Sequence, residues 1–289
     1  MDVYSTTENF TRRALWAQID LDAAAHNMQV IRRHVGPDVR IAAVVKANAY
    51  GHGAVELART FAENGADCFA VSSLDEAVEL RRYAGITKNI FILGHTDGRR
   101  TEELLAYHIE PAVFNLKNAE YFSSEASRLG QTLQVHIAID SGMSRIGFLP
   151  DEESISVIKE IAALPRIEIR GIFTHFAVAD EKDKTFTHEQ FKRFMWVCSR
   201  LEDEGVHIPI RHCCNSAATL ELPQYHLDMV RPGIIQYGCQ PSHDVSLAGF
   251  DFRPVMSLRC CVAHVKLIDA GATVSYGRHF TCDRRRKIA

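Results

Sequence analysis

Eight short apolar runs, rich in β-branched residues, alternate with longer amphipathic segments along most of this chain. The runs are Ile41–Val45, Cys68–Val71, Ile90–Leu93, Pro111–Phe114, Leu133–Ile139, Ile167–Phe173, Ile210–Cys214 and Leu227–Val230. Helical patterns lie between them at Ala54–Asn64, Leu74–Tyr83, Arg99–Ala106, Leu116–Leu129, Glu152–Ala163 and Phe186–Glu204, and another, Ala23–His34, precedes the first run. The last two links are shorter. Nearly continuous apolar strands fit a parallel sheet covered on both faces. Eight of them alternating with helices predict an α/β fold, a (β/α)8 TIM-like barrel, with a doubly wound sheet as the alternative.

The texture changes near residue 250. Val255–Leu267 reads as one long strand, Gly271 as a turn and Ala272–Tyr276 as a second strand, a pattern of antiparallel β structure. The expected organisation is therefore a barrel over residues 1–248 and the start of a C-terminal β domain, incomplete here, over 249–289. A tail that short is too small to fold as an independent domain. The run Arg284-Arg285-Arg286-Lys287 is read as a solvated surface or edge strand.

Composition removes several function classes. With 33 Lys and Arg against 36 Asp and Glu, the net charge of −3 gives no electrostatic reason to expect nucleic acid or an anionic membrane as partner. No apolar run approaches the roughly 18 residues of a membrane span. The N-terminal MDVYSTTENFTRR lacks the apolar core of a secretory signal. Eight cysteines in 289 residues are too sparse for a disulfide scaffold, and they are read as reduced thiols of a cytoplasmic protein.

Active-site residues of a parallel barrel sit at the C-terminal ends of its strands. Lys46 ends the first run, in AVVKANAYGHG, where partial desolvation favours the neutral, nucleophilic amine that forms a Schiff base. A plain strand-end lysine reaching to water is the alternative. Tyr50 offers a hydroxyl to an anion. Arg145 follows the fifth run and has the planar fork that suits a carboxylate or phenolate. His175 ends the sixth run, either as a site residue or as a satisfied core histidine. Asn215 and Ser216 end the seventh, at a helix N-terminus suited to an anion. Arg231 and Gly233-Ile234 end the eighth, and a structural ion pair is the other reading of Arg231. A lysine at one strand end and a phosphate cradle after strands seven and eight are the two parts that pyridoxal 5'-phosphate (PLP) requires. No metal site is expected.

These blocks resemble the alanine racemase family of PLP-dependent, fold-type III proteins. AVVKANAYGHG is similar to its PLP-lysine motif, and IDLDAAAHN, DSGMSRIGF, GIFTHFA, CCNSAATL, MVRPGIIQYG and VSYGRHF resemble further blocks in the family's order, from about Arg13 to the last residue. The resemblance implies an isomerase that interconverts L- and D-alanine, supplying D-alanine for cell-wall peptidoglycan. It implies that Lys46 is the Schiff-base lysine and one catalytic base, and that Tyr50, Ser216, Gly233 and Ile234 hold the PLP phosphate. Arg231 would bond the pyridine nitrogen and His175 would bond Arg231. Arg145 would lie near the cofactor's phenolic oxygen and the substrate carboxylate. Tyr276 would be the second catalytic base, delivered across a homodimer interface by the other subunit.

The sequence departs from the family twice. Many members carry a carbamylated lysine in the fifth strand that orients the substrate-binding arginine, and Ala138 stands at that position here. The family's β domain also continues well past the position of Ala289 with a second phosphate-binding tyrosine and the entrance residues. The resemblance therefore implies a C-terminally truncated member, with exposed strand edges, weaker PLP retention and low activity. Rival readings are a serine or broad-specificity racemase of the same family, a non-catalytic PLP-binding barrel, a PLP-dependent decarboxylase and an inactive fragment. Tyr276 argues against the non-catalytic barrel. Arg231 argues against the decarboxylase, which usually places a carboxylate at the ring nitrogen.

Overall fold

The computed structural model describes residues 14–289. The N-terminal segment judged above for its missing apolar core, residues 1–13, lies outside the described residues. Two compact units are present among the described residues: residues 20–255, and a unit made of residues 14–19 together with Met256–Ala289.

In the larger unit the strands are β2 (Arg40–Val44), β3 (Cys68–Val71), β4 (Ile90–Ile92), β5 (Ile109–Glu110), β6 (Ala112–Val113), β7 (Leu133–Ala138), β8 (Ile167–Phe173), β9 (Ile210–His212) and β10 (Met229–Val230), numbered after β1 (Leu15–Ile19). All pairings among them are parallel. β5 and β6 act as one barrel strand on either side of Pro111. The first half pairs with β4 and the second with β7, and the Pro111 carbonyl accepts from His136 N at 3.0 Å. β9 and β10 are joined by Asp228 N to Arg211 O at 3.2 Å and Arg231 N to Cys214 O at 3.0 Å. With β10 paired to β2, the ring of eight strands closes. Each lies where the apolar runs were read.

The helices are α1 (Leu21–Val35), α2 (Ala54–Glu63), α3 (Leu74–Glu79), α4 (Thr101–Ala106), α5 (Leu116–Leu129), α6 (Glu152–Ala163), α7 (Thr185–Asp203) and α8 (Ser216–Glu221). Several start on a side chain that accepts an otherwise unpaired first-turn N–H. Asp20, Ser73, Asn115, Asp151 and Asn215 cap α1, α3, α5, α6 and α8 in this way. The barrel interior holds two apolar clusters. One contains Ala42, Val44, Cys68, Ala70, Phe91, Ile210 and Met229; the other contains Ala112, Ala138 and Phe173; Leu93 packs against both. Ala138 is thus part of a dry layer of small and aromatic side chains.

In the smaller unit, β1 pairs antiparallel with β11 (Met256–Cys260), Leu15 opposite Cys260 and Ile19 opposite Met256. β12 (Lys266–Ile268) pairs with β15 (Arg286–Ile288), and β13 (Thr273–Val274) with β14 (Phe280–Thr281). The single strand expected over Val255–Leu267 is therefore two strands. Its first half bonds to β1 and its second to β15, so the ladder changes partner and breaks between them. The strand expected to run through Tyr276 ends at Val274, because Ser275 adopts φ 61° and starts a 3-10 turn over Tyr276–Arg278. Arg286 and Lys287 of the Arg-rich run lie in β15, after Arg284 and Arg285 in the preceding loop, and Arg286 pairs with Asp283 at 2.6 Å.

The loop after β7 folds back on its own strand, with Phe148 N donating to Ala138 O and Asp140 N to Phe148 O, both at 2.9 Å. Gly147 allows this at φ +131°; a Cβ there would stand 2.3 Å from Asp140 N. Gly147→Ala must shift backbone on both sides. Urea denaturation is expected to show a loss of ~3 kcal/mol of stability relative to the wild type.

Candidate active site at the strand mouth

The residues singled out by sequence converge from several strand ends. Lys46, Tyr50, His175, Asn215, Ser216, Arg231, Gly233 and Ile234 line one cavity of about 300 Å³. A larger hollow of about 840 Å³ lies along the N-terminal ends of β5 and β7 and contains none of them.

Lys46 is followed by a short left-handed helical turn. Ala47, Asn48 and Ala49 have φ of 52–53° and ψ of 48–50°, and Tyr50 has φ 54°. Left-handed geometry costs about 1–2 kcal/mol per non-glycine residue, so other contacts must hold it. Glu76, from α3, is the principal one. Its carboxylate accepts Ala47 N and Ser72 N, each at 2.7 Å, and the Ser72 hydroxyl at 2.9 Å. Asn48 Oδ1 accepts Ala54 N at 2.8 Å, tying the turn to the start of α2. Tyr237 Oη and Gln236 Nε2 both donate to Val44 O, at 2.8 and 2.6 Å, and fix the strand end before Lys46.

The turn brings Tyr50 over Gly233. A Cβ on Gly233 would sit 3.0 Å from Tyr50 Oη and 3.7 Å from Ser216 Oγ, so a side chain there would crowd the space between the two hydroxyls. Ser216 Oγ accepts Gly233 N at 2.8 Å and Ile235 N at 3.4 Å. Burial raises the Tyr50 phenol above its usual range, which keeps it a neutral donor.

Arg231 crosses the floor of the cavity and is only 3% exposed. NH1 donates to His212 Nδ1 at 2.9 Å; NH2 donates to Thr174 O at 2.7 Å, Cys213 O at 3.2 Å and His175 Nδ1 at 3.3 Å. Burial lowers its pKa to about 10, so it remains cationic at neutral pH. His175 is held down to about 3 by burial and then by the charges of Arg231, Arg145 and Lys46. It is a neutral acceptor toward the guanidinium. Burial and the Arg145 charge lower Lys46; Glu76 raises it, and Arg231 adds a weaker lowering.

Arg145 is exposed on the loop after β7 and is not part of the cavity wall, but its charge reaches Lys46, His175 and Arg231. Tyr276 belongs to the other unit, where it is 100% exposed on its 3-10 turn. Sequence reasoning missed Glu76, His212, Gln236 and Tyr237. The last two lie within the block MVRPGIIQYG, and His212 alternates with Cys214 along one strand. Glu76 carries no such signal, because only the folded turn gives it work.

Fold and cavity together define a parallel α/β barrel whose strand mouth brings a lysine amine, a buried guanidinium and hydroxyl donors into one cavity. The sequence model described as alanine racemase, N-terminal domain, matches residues 19–241. An alanine racemase of Clostridium tetani is 48% identical over 277 residues, covering 96% of this chain and 71% of the relative. One of Clostridium perfringens is 49% identical with the same coverage. The solved alanine racemase of Clostridium difficile 630 superposes with a TM-score of 0.86 at 39% identity, over 96% of this chain and 72% of that one. The Bacillus anthracis alanine racemase solved with bound L-Ala-P gives 0.81 at 36% identity, over 95% and 71%. This chain belongs to the alanine racemase family. It has the family's α/β barrel with part of a β domain.

Replacing Glu76 by Gln removes the anion that raises the Lys46 pKa. Competitive acetylation of Lys46 across pH, read by peptide mass spectrometry, is expected to show its midpoint moving lower than in the wild type. An unmoved or raised midpoint would show that Glu76 acts on the turn alone.

Proposed function

We propose that the chain is a PLP-dependent racemase that interconverts L- and D-alanine by a two-base mechanism. The observation that carries this reading is the meeting of Tyr50 Oη and Ser216 Oγ at the bare Cα of Gly233, in the same cavity as the desolvated Lys46. A cavity of about 300 Å³ lined by an amine, a buried guanidinium and hydroxyl donors fits a phosphorylated pyridine aldehyde. The names of the relatives support alanine over serine or a broader range of substrates.

Tyr50 Oη, Ser216 Oγ and the backbone N–H of Ile234 would hold the phosphate over the bare Cα of Gly233, whose N–H orients Ser216 Oγ, with Asn215 capping α8 through Ala218 N. When bound, PLP supplies the electron sink that acidifies the Cα–H of an amino acid. Lys46 Nζ would hold the cofactor in the absence of substrate and, freed when the substrate amine takes its place, would move the Cα proton on one face. Its lowered pKa keeps a fraction of it neutral for that work. Tyr276 Oη would move the proton on the opposite face, delivered by the second subunit of a homodimer. Two bases are needed because one positioned group cannot both remove a proton from one face and return it to the other. Arg231 would face the ring nitrogen as a cation, discouraging its protonation and limiting side reactions, while His175 holds its NH2. Arg145 would bind the substrate carboxylate through its guanidinium fork. The barrel is the cofactor-binding part of this scheme, and the β unit carries Tyr276.

The cytoplasm and supply of D-alanine for peptidoglycan are the setting that we infer from the family. No helix among the described residues is long and apolar enough to cross a membrane.

The test is incubation of the purified chain with PLP and L-alanine in deuterated water, followed by chiral chromatography and NMR of the Cα position. Cα-deuterated D-alanine is the expected product, and Lys46→Ala is expected to lower its rate by at least about a thousandfold. Wild-type protein that gives neither deuterium gain nor D-alanine would overturn the reading. Deuterium gain without inversion would remove the two-base scheme.

A further inference from the structure

Behind Arg231 and His212 the line of buried polar side chains continues through His136 to Glu110. His212 Nδ1 accepts from Arg231 NH1 at 2.9 Å. His212 Nε2 meets His136 Nδ1 at 3.1 Å, and His136 Nε2 meets Glu110 Oε2 at 2.7 Å. Asn89 Nδ2 donates to the other Glu110 oxygen. Glu110, His136, His212 and Arg231 are each buried.

The direction of every link is fixed. A guanidinium only donates, so His212 Nδ1 must be bare and its proton must sit on Nε2. That proton points at His136 Nδ1, which must therefore be bare, and the His136 proton sits on Nε2 facing Glu110. A doubly protonated His136 would drive the His212 proton onto Nδ1, against the guanidinium. Burial, and then the Arg231 charge, hold His212 well below the ordinary imidazole range, in keeping with a neutral ring. Burial would raise the Glu110 carboxyl, but the His136 and Asn89 hydrogen bonds and the Arg170 charge outweigh it and hold it below its usual range. The line is thus a carboxylate and a guanidinium joined through two neutral imidazoles.

The fold makes specific room for it. The register of β7 against β8 shifts at Val135/His136. Gly171 lies beside the ring: a Cβ there would be 2.4 Å from His136 Nδ1. Phe91 stacks on His136 at 4.9 Å and Phe173 on His212 at 5.2 Å, so the imidazoles cannot rotate to other partners without displacing core aromatics.

We propose that Glu110 and His136 are positioning residues for Arg231, acting through His212. The carboxylate polarises each imidazole in turn, strengthening His212 Nδ1 as an acceptor and locking Arg231 NH1 away from the cavity. The orientation and positive charge of Arg231 at the mouth then depend on an anion at the far end of the barrel. The consequence for catalysis rests on the racemase reading; the tautomers do not.

The test uses histidine labelled with ¹⁵N in the full chain, with and without PLP, and long-range ¹H–¹⁵N correlation spectra. Both His136 and His212 are expected as Nε2–H tautomers in the wild type, assigned by His136→Gln and His212→Gln. In Glu110→Gln, the amide oxygen still accepts from His136 but the charge is gone. The His212 Nδ1 resonance is expected to shift, and kcat for alanine to fall about tenfold with KM changed less than twofold. Glu110→Asp, which keeps the charge, is expected to recover part of both. A proton on His212 Nδ1 in the wild type would overturn the proposal without recourse to any variant. So would a folded Glu110→Gln chain with wild-type resonances. If the wild type racemises nothing, the function proposed above fails while the spectra still decide the relay.

Discussion

A cation buried in the middle of a barrel is the constraint around which the rest of this molecule is arranged. Removing the Arg231 guanidinium from water is costly unless its donors find partners. The barrel meets that demand with the Thr174 and Cys213 carbonyls and with two imidazoles kept neutral, His175 and His212. These partners come from the ends of β8 and β9, so the charge can be held only when the strands around it are in register. Closure of the barrel and placement of the charge are one event, because Arg231 N itself bonds Cys214 O across the β9–β10 seam.

The second constraint is strain. Four consecutive non-glycine residues in left-handed geometry would unwind if left alone. They are held by Glu76, by Asn48 and by the two donors that converge on Val44 O. The strain has a geometric return. It lets a five-residue stretch put an amine and a phenol on one cavity wall, Lys46 and Tyr50, with Tyr50 reaching Gly233. The Lys46 amine and the Tyr50 hydroxyl that faces Gly233 are thus linked through the backbone rather than merely adjacent. Glu76 couples the two constraints, since the carboxylate that braces the turn also opposes the lowering of Lys46 by Arg145 and Arg231.

The barrel strands were legible because each is a short apolar run between polar, capped helices, and period and length alone locate such runs. Strand ends then pointed to Lys46, His175, Ser216 and Arg231, since parallel barrels gather chemistry there. The β unit was less legible. Val255–Leu267 is one apolar stretch by composition, and only its change of partner from β1 to β15 divides it, which no local pattern records. β1 itself is a short strand whose partner lies some 240 positions away by the β1–β11 register, Leu15 to Cys260. Glu76, Glu110 and His136 were invisible for the same reason: their roles are set by non-local contacts, while their spacing matches nothing. Ala138 was read as a departure, and the fold shows it completing an apolar layer with Ala112 and Phe173.

The central claim is that the strand-mouth cavity seats a phosphorylated aldehyde against Lys46. The most direct measurement is borohydride reduction of the chain after incubation with PLP, followed by peptide mapping. The account predicts one covalently labelled lysine, Lys46, with less label when excess inorganic phosphate occupies the cradle at Gly233 during the incubation, before borohydride is added. Label spread over surface lysines such as Lys159 and Lys192, with Lys46 unmodified, would contradict it.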